Sequence, residues 1–261
     1  MKLMKKFKKR VIELGLKEAL KFTFIKATVS WRRKAILNLE SPEDRFTKIF
    51  TSNHWNNHES VSGEGSTFEN TANIRTELPK IFDKYQLKSM LDAPCGDFNW
   101  MKLVIEHESI TYIGGDIVQP LVEQNQEKYG NKKSSFIQLD LTTSSLPEVD
   151  LLFCRDCLFH LSYRDIAKVF ENFLDSSIPY LMTTSSAAPL GPRINNSNIE
   201  TGDMRLIDLF SKPFCLPQKD IMECVSDSMV SLKAERSMVL INRNAVKSML
   251  RSLTLDIGST I

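Results

Sequence analysis

No run of apolar residues in this chain approaches the roughly 18 that cross a bilayer. The N-terminus is basic, but Glu13, Lys17, Glu18, Lys21 and Lys26 break the stretch from Val11 to Ala27. It therefore lacks the apolar centre and small-residue cleavage site of a secretory signal. Cysteine is scarce and odd in number, five in 261 residues. That excludes a disulfide scaffold and points to free thiols in a reducing, cytoplasmic setting. Ten glycines and ten prolines are too few for a collagen-like or low-complexity chain. There is no internal repeat, and the G-x-G-x-x-G of pyrophosphate-binding loops is missing. Cys154 and Cys157 form a C-x-x-C, but no second pair completes the four ligands of a structural zinc. His54 and His58 share a helix face, yet Trp55 stands where a metalloprotease needs Glu. We expect no metal.

What remains is ordinary globular composition: 42% apolar, 25% charged and 9% aromatic residues, enough to bury a full core. The net charge of +2 hides an asymmetry. Residues 1–34 carry twelve Lys or Arg against Glu13 and Glu18, a net of +10, so the remaining 227 residues sum to −8. Leu3, Met4 and Phe7, then Leu16, Leu20, Phe24 and Ala27, fall at helical spacing within this leader. Two readings are open: a helix resting on anionic lipid, giving peripheral membrane contact, or a solvated helix or frayed terminus. Nucleic acid is not expected as a partner, because no basic and aromatic interleaving continues into the body. The pattern divides the chain into a basic helical leader (1–40), a helical cap (41–86) and a larger domain (87–261).

Ser41-Pro42-Glu43-Asp44 is a helix start, with Ser as N-cap, Pro next and acids in the first turn. Ser62 to Thr67 then interrupts, either as a flexible linker or as a lid with Trp55 before it and Arg75 after it. Phe68 to Gln86 resumes a helical stripe. From Leu87 short apolar runs alternate with helices. Strands are predicted at Met90–Ala93, Ile110–Gly114, Ser135–Leu139, Val149–Cys154 and Pro179–Thr183, with a closing pair at Met229–Ala234 and Ser237–Ile241. Helices are predicted over Phe98–Glu106, Pro120–Tyr129 and from Ser162 onward. Such alternation means an α/β fold with a doubly wound, mostly parallel sheet. A long polar loop follows Thr184.

In an open α/β sheet, ligands bind at the carboxyl ends of the strands. Acids stand at three successive ends: Asp92, Asp116 and Asp140. A ribose diol needs a carboxylate acceptor, and an adenine amino group needs an acceptor at its edge. Gly96 lets backbone approach closely after the first strand. Pro94 and Phe98 occupy places where a pyrophosphate loop wants glycine, and Asp97 repels phosphate. An acidic loop suits a nucleoside with a positive centre and no phosphate, such as S-adenosylmethionine.

Leu91-Asp92-Ala93-Pro94-Cys95-Gly96-Asp97, Tyr112-Ile113-Gly114-Gly115-Asp116 and Leu139-Asp140-Leu141 resemble the first three motifs of class I S-adenosylmethionine-dependent methyltransferases. Cys154-Arg155-Asp156-Cys157-Leu158-Phe159-His160-Leu161, Glu59 to Thr67 and Thr201 to Pro217 resemble a bacterial and plant subgroup of uncharacterised methyltransferases. The resemblance spans about residues 45 to 242 and implies a Rossmann-like, seven-stranded sheet whose last strand is antiparallel. It departs from the family pattern at Pro94 and Phe98. By this resemblance Asp92, Ala93, Cys95 and Gly96 line the methionine end. Asp116 and Ile117 meet the ribose, Asp140 and Leu141 flank the adenine, and Cys154 and Arg155 lie beneath the sulfonium. Arg75 is the candidate partner of the cofactor carboxylate. Asp156 and His160 are candidate bases for a hydroxyl acceptor, and Glu64, Asp203 and Arg205 are candidate substrate contacts. The implied activity is O-methylation of a small polar or saccharide acceptor. The alternatives are an NAD-type Rossmann oxidoreductase and a non-catalytic, membrane-associated cofactor-binding partner. Oligomeric state is not legible.

Overall fold

The computed structural model describes residues 30–229 and 235–258, together with residues 18 and 28. Its strands are β1 (Ser89–Asp92), β2 (Thr111–Asp116), β3 (Ser134–Gln138), β4 (Leu151–Cys154), β5 (Tyr180–Ser185), β6 (Ile221–Ser226) and β7 (Ser237–Asn242). Its main helices are α1 (Pro42–Thr51), α2 (Ala72–Tyr85), α3 (Met101–Ile105), α4 (Gln119–Tyr129), α5 (Tyr163–Asp175) and α6 (Arg243–Gly258). The seven strands form one sheet in the order β3-β2-β1-β4-β5-β7-β6. β1 to β5 pair in parallel, and β7 runs antiparallel to both β5 and β6. This is the Rossmann-like doubly wound sheet that the alternating pattern predicts.

Parallel strands covered on both faces read as continuous apolar runs, because successive side chains enter opposite cores. Leu91 and Leu152 belong to one core, with Ile166 and Phe170 of α5 and Val246 and Met249 of α6. Met90 and Leu151 belong to the other, with Ile74 and Leu78 of α2 and Met101 and Val104 of α3. The cap helix α2 is thus part of the body's core.

The predicted caps form. Ser41 Oγ accepts from Asp44 N at 3.0 Å, and Ser162 Oγ accepts from Asp165 N at 3.1 Å. Beyond shifts of one or two residues at strand ends, three readings differ from the sequence analysis. The helix expected from Phe68 begins only at Ala72. The helix expected from Phe98 begins at Met101, because Phe98 takes a left-handed backbone (φ 55°) and turns its ring onto Tyr112, Tyr129 and Phe136 at 4.8, 5.3 and 5.1 Å. Of the expected Met229–Ala234 only Met229 is among the described residues, and the strand paired with β7 in the hairpin is Ile221–Ser226, which the sequence reading does not contain. It is an edge strand with only Val225 buried, so its pattern is mostly polar. Residues 230–234 lie outside the described residues, as does nearly all of the helix expected in the leader.

Candidate active site

The carboxyl ends of the parallel strands open onto a cavity of about 420 Å³. β1 delivers Asp92 and, just beyond it, Ala93, Cys95 and Gly96; β2 delivers Asp116 and Ile117; the turn after β3 delivers Asp140 and Leu141; the turn after β4 delivers Arg155, Asp156 and His160. Glu64 and Arg205 reach the same cavity from the loops. Residues as far apart in sequence as Glu64 and Arg205 thus converge on one cavity.

The acids are held largely by backbone and hydroxyl donors. Asp116 is buried; its Oδ1 accepts from Val118 N and its Oδ2 from Gly96 N, both at 3.1 Å. Desolvation pushes its carboxyl up to about 6, against the pull of those backbone N–H groups. Asp92 accepts the Tyr112 hydroxyl at 2.7 Å. Burial raises it to about 7, and the neighbouring Asp116 carboxylate adds to the rise while Tyr112 and Arg155 oppose it. Asp140 Oδ1 accepts from Thr142 N at 2.8 Å and Thr142 Oγ1 at 2.7 Å, which fixes its turn. Two buried carboxylates that repel one another favour a ligand bringing positive charge and hydroxyl donors.

The turn of the loop after β1 is ill suited to phosphate. Its amides from Gly96 to Asn99 are already taken: Gly96 N by Asp116, Asp97 N by Ser62 Oγ at 3.0 Å, Phe98 N by Cys95 O and Asn99 N by Asp97 Oδ1. None of these four is offered to a pyrophosphate. Asp97 also accepts from Ser60 Oγ and Val61 N, both at 3.0 Å. This clasp holds Ser60–Ser62 against the β1 loop, and Val61–Ser66 line the cavity. Gly96 has φ 56°, and a side chain there would overlap Ser62 Oγ. A Cβ at Gly65 would sit 2.5 Å from Asp156 Oδ2.

Beside this wall, four charges close a ring. Asp156 Oδ1 meets Arg236 Nη1 at 3.0 Å, and Arg236 Nη2 meets Asp227 Oδ2 at 2.5 Å. Asp227 Oδ1 meets Arg155 Nη2 at 3.0 Å, and Arg155 Nη1 returns to Asp156 Oδ2 at 3.3 Å. Burial alone would raise Asp156, but Arg155 and Arg236 outweigh it and hold the carboxyl below its ordinary range. Sequence reasoning missed Asp227 and Arg236, which no local pattern marks.

His160 Nδ1 lies 2.8 Å from the carbonyl oxygen of Asp203. A carbonyl only accepts, so Nδ1 carries the proton and Nε2 bears the lone pair in the neutral ring. Burial lowers its pKa below the usual value, against the raising pull of Asp203 and Asp156. Phe159, Trp55 and Phe46 surround the ring at 4.5, 5.8 and 6.3 Å between centroids.

Three expected residues stand off the cavity wall. Arg75 stacks over Phe68 and donates Nη2 to the Phe68 carbonyl at 2.9 Å. Cys154 is fully buried in the core beneath β4, where strand alternation turns it away from its neighbour Arg155. The Asp203 carboxylate is gripped by Arg33, with Nε to Oδ1 at 2.7 Å and Nη2 to Oδ2, so only its carbonyl serves the site.

No protein-family model and no curated protein sequence matches the chain. Among solved structures it is similar to human N-acetylserotonin methyltransferase in complex with S-adenosylmethionine, at 14% identity and a TM-score of 0.53. That match covers 76% of this chain and 58% of the human enzyme, so the chain spans under two thirds of its relative's length. The magnesium protoporphyrin IX methyltransferase of Synechocystis PCC 6803 with bound S-adenosylmethionine matches at 15% identity and TM-score 0.49, over 78% of this chain and 99% of that one. The N-methyltransferase NodS from Bradyrhizobium japonicum WM9 matches at 13% identity and TM-score 0.47, over 67% and 96%. The human enzyme and this chain share the class I methyltransferase fold.

Proposed function

We propose that this chain is an S-adenosylmethionine-dependent methyltransferase acting on an oxygen of a small polar or saccharide acceptor. The observation that carries the reading is the convergence of Asp92, Asp116 and Asp140 on one cavity at the strand ends of this fold, beside a turn whose Gly96–Asn99 amides are already bonded. The same occupied turn, with the Asp97 carboxylate in it, disfavours an NAD enzyme. The runs that resemble the bacterial and plant subgroup, around Val61–Ser66 and Arg155–Leu161, both line the cavity and support a place in that subgroup.

When bound, S-adenosylmethionine supplies an electrophilic methyl group on a positively charged sulfur. Asp116 offers two carboxylate oxygens to the ribose hydroxyls, with Ile117 beside it. Asp140 and Leu141 border the adenine. Asp92, Ala93, Cys95 and Gly96 form the methionine end, where the Asp92 charge answers an ammonium group. Val61 to Ser66 and the aromatic ring of residues around His160 exclude water from the reacting centre.

His160 takes the hydroxyl proton at Nε2. The Asp203 carbonyl fixes its tautomer, and burial keeps it neutral and ready to accept. Asp156 is a weaker base, because Arg155 and Arg236 hold it ionised. We assign it to positioning those two guanidiniums. Incubation with methyl-labelled S-adenosylmethionine and a panel of sugars and hydroxylated small molecules tests the reading. An O-methylated product is expected. Cofactor binding without transfer to any acceptor would favour the non-catalytic alternative.

A further inference from the structure

Among the described residues three arginines line the cavity, and two of them are matched. Arg155 and Arg236 each face both Asp156 and Asp227. Arg205 is different. It is 8% exposed, its Nη1 donates to the Leu161 carbonyl at 2.7 Å, and its guanidinium lies 5.1 Å over the Tyr163 ring. Its Nε and Nη2 are buried with no hydrogen-bond partner among the described residues. The nearby acids are committed elsewhere: Asp203 to Arg33, Asp165 to Lys168 and Thr201, and Asp156 to the charge ring. Desolvation accordingly pulls its pKa down to about 10, with only Tyr163 opposing. A buried cation left unpaired is costly, and a negatively charged ligand relieves that cost.

Arg205 also lies on the His160 side of the cavity. Its backbone N–H donates to the Phe159 carbonyl at 3.1 Å, and Gly202 N–H donates to the His160 carbonyl at 2.8 Å. The carboxylates assigned to the cofactor stand instead after β1, β2 and β3. Phe46, Trp55 and Phe159 offer flat apolar faces beside His160, and the exposed Met204 and Leu206 flank Arg205 on the same wall.

We propose that the acceptor is an organic anion, a carboxylate or a phosphate ester, whose charge is taken by the unpaired guanidinium of Arg205 while an aromatic wall packs its body beside His160. The proposal rests on the methyltransferase reading, and it narrows the acceptor to the acidic members of the small polar and saccharide class. Arg205 supplies a planar fork that fits either oxyanion. It anchors the acceptor and leaves proton removal to His160.

The test is calorimetric titration of the full chain saturated with S-adenosylhomocysteine. The probes form two series: glucuronate, glucose 6-phosphate and neutral glucose; then benzoate, phenyl phosphate and neutral benzamide. In at least one series an anion binds about tenfold or more tighter than its neutral counterpart, the size expected of hydrogen bonds to a charged group. Whether the carboxylate or the phosphate leads identifies the anion. Arg205→Gln removes the preference and Arg205→Lys keeps part of it, with S-adenosylhomocysteine affinity unchanged in both. Equal binding of anions and neutral counterparts by the wild-type chain overturns the proposal, whatever the variants do. So does a preference that survives Arg205→Gln. Loss of S-adenosylhomocysteine affinity in a folded Arg205→Gln protein also overturns it, since the anion would then be the cofactor's own carboxylate. Failure of the wild-type chain to bind S-adenosylhomocysteine defeats the methyltransferase reading itself.

Discussion

Replacing Asp92 by Asn should stabilise the ligand-free protein and weaken its hold on the cofactor. Asp92 is 3% exposed, and burial raises its carboxyl from 3.8 to about 7. The folded chain therefore keeps this proton between about pH 4 and pH 7, where the unfolded chain has released it. Stability falls as pH rises through that window and levels off above it. At about 1.36 kcal/mol per pH unit, the full penalty is about 4 kcal/mol, and about 2 kcal/mol of it sets in between pH 5.5 and pH 8.5. Asn has nearly the same shape, keeps an acceptor for the Tyr112 hydroxyl and carries no charge. Asp92→Asn should thus be more stable than wild type by about 2 kcal/mol at pH 5.5 and about 4 kcal/mol at pH 8.5. Urea unfolding of both ligand-free proteins at the two pH values measures the difference. A gap that stays constant with pH, or a destabilised mutant at pH 8.5, would show that the buried Asp92 charge does not burden the fold. In calorimetry at pH 8.5 the same mutant should bind S-adenosylmethionine more weakly, because the charge that burdens the free protein is the one that answers the ammonium group.

Asp116→Ala should cost cofactor affinity roughly 1.5 to 3 kcal/mol, the scale of hydrogen bonds to a charged group; calorimetry with unchanged affinity would remove the ribose assignment. His160→Gln should lower turnover by about 10²- to 10⁴-fold with cofactor affinity intact. In wild type, kcat/KM should rise with pH through a pKa below 6.5, because burial lowers that of His160 and the proposed base acts as the neutral ring. A profile flat from pH 5 to 8, or full turnover in the mutant, would point to alignment without a base. Deleting residues 1–29 should leave the cofactor-binding body folded by circular dichroism. If the leader meets anionic lipid, deletion should abolish binding to phosphatidylserine vesicles, and added salt should weaken it in the full chain. No vesicle binding by the full chain would dispose of the membrane reading.

The parts of this molecule legible in its sequence are those with local signals. The change from helical spacing to short apolar runs located the parallel strands, and Asp92, Asp116 and Asp140 stood out because each ends such a run. Ser41 and Ser162 announced their helices through cap chemistry. The edge strand Ile221–Ser226 was missed because it buries one side chain and reads as polar. The helix α6 after β7 was also missed. The charge ring was illegible because Arg155 and Asp227 stand 72 positions apart, one just after β4 and the other just after β6. Arg75 attracted notice for its place beside a glycine-rich turn, yet its nearest acceptor is the Phe68 carbonyl seven residues back. The value of Asp203 lay in its backbone, which no side-chain pattern advertises.

The carboxylates at the strand ends are proposed to hold S-adenosylmethionine and not a dinucleotide. Calorimetric titration of the ligand-free chain with S-adenosylmethionine, and separately with NAD, separates the two. Saturable binding of one S-adenosylmethionine per chain is expected, weakened by Asp116→Ala, with no comparable heat from NAD. Absence of S-adenosylmethionine binding, or tighter binding of NAD, would overturn the proposed function.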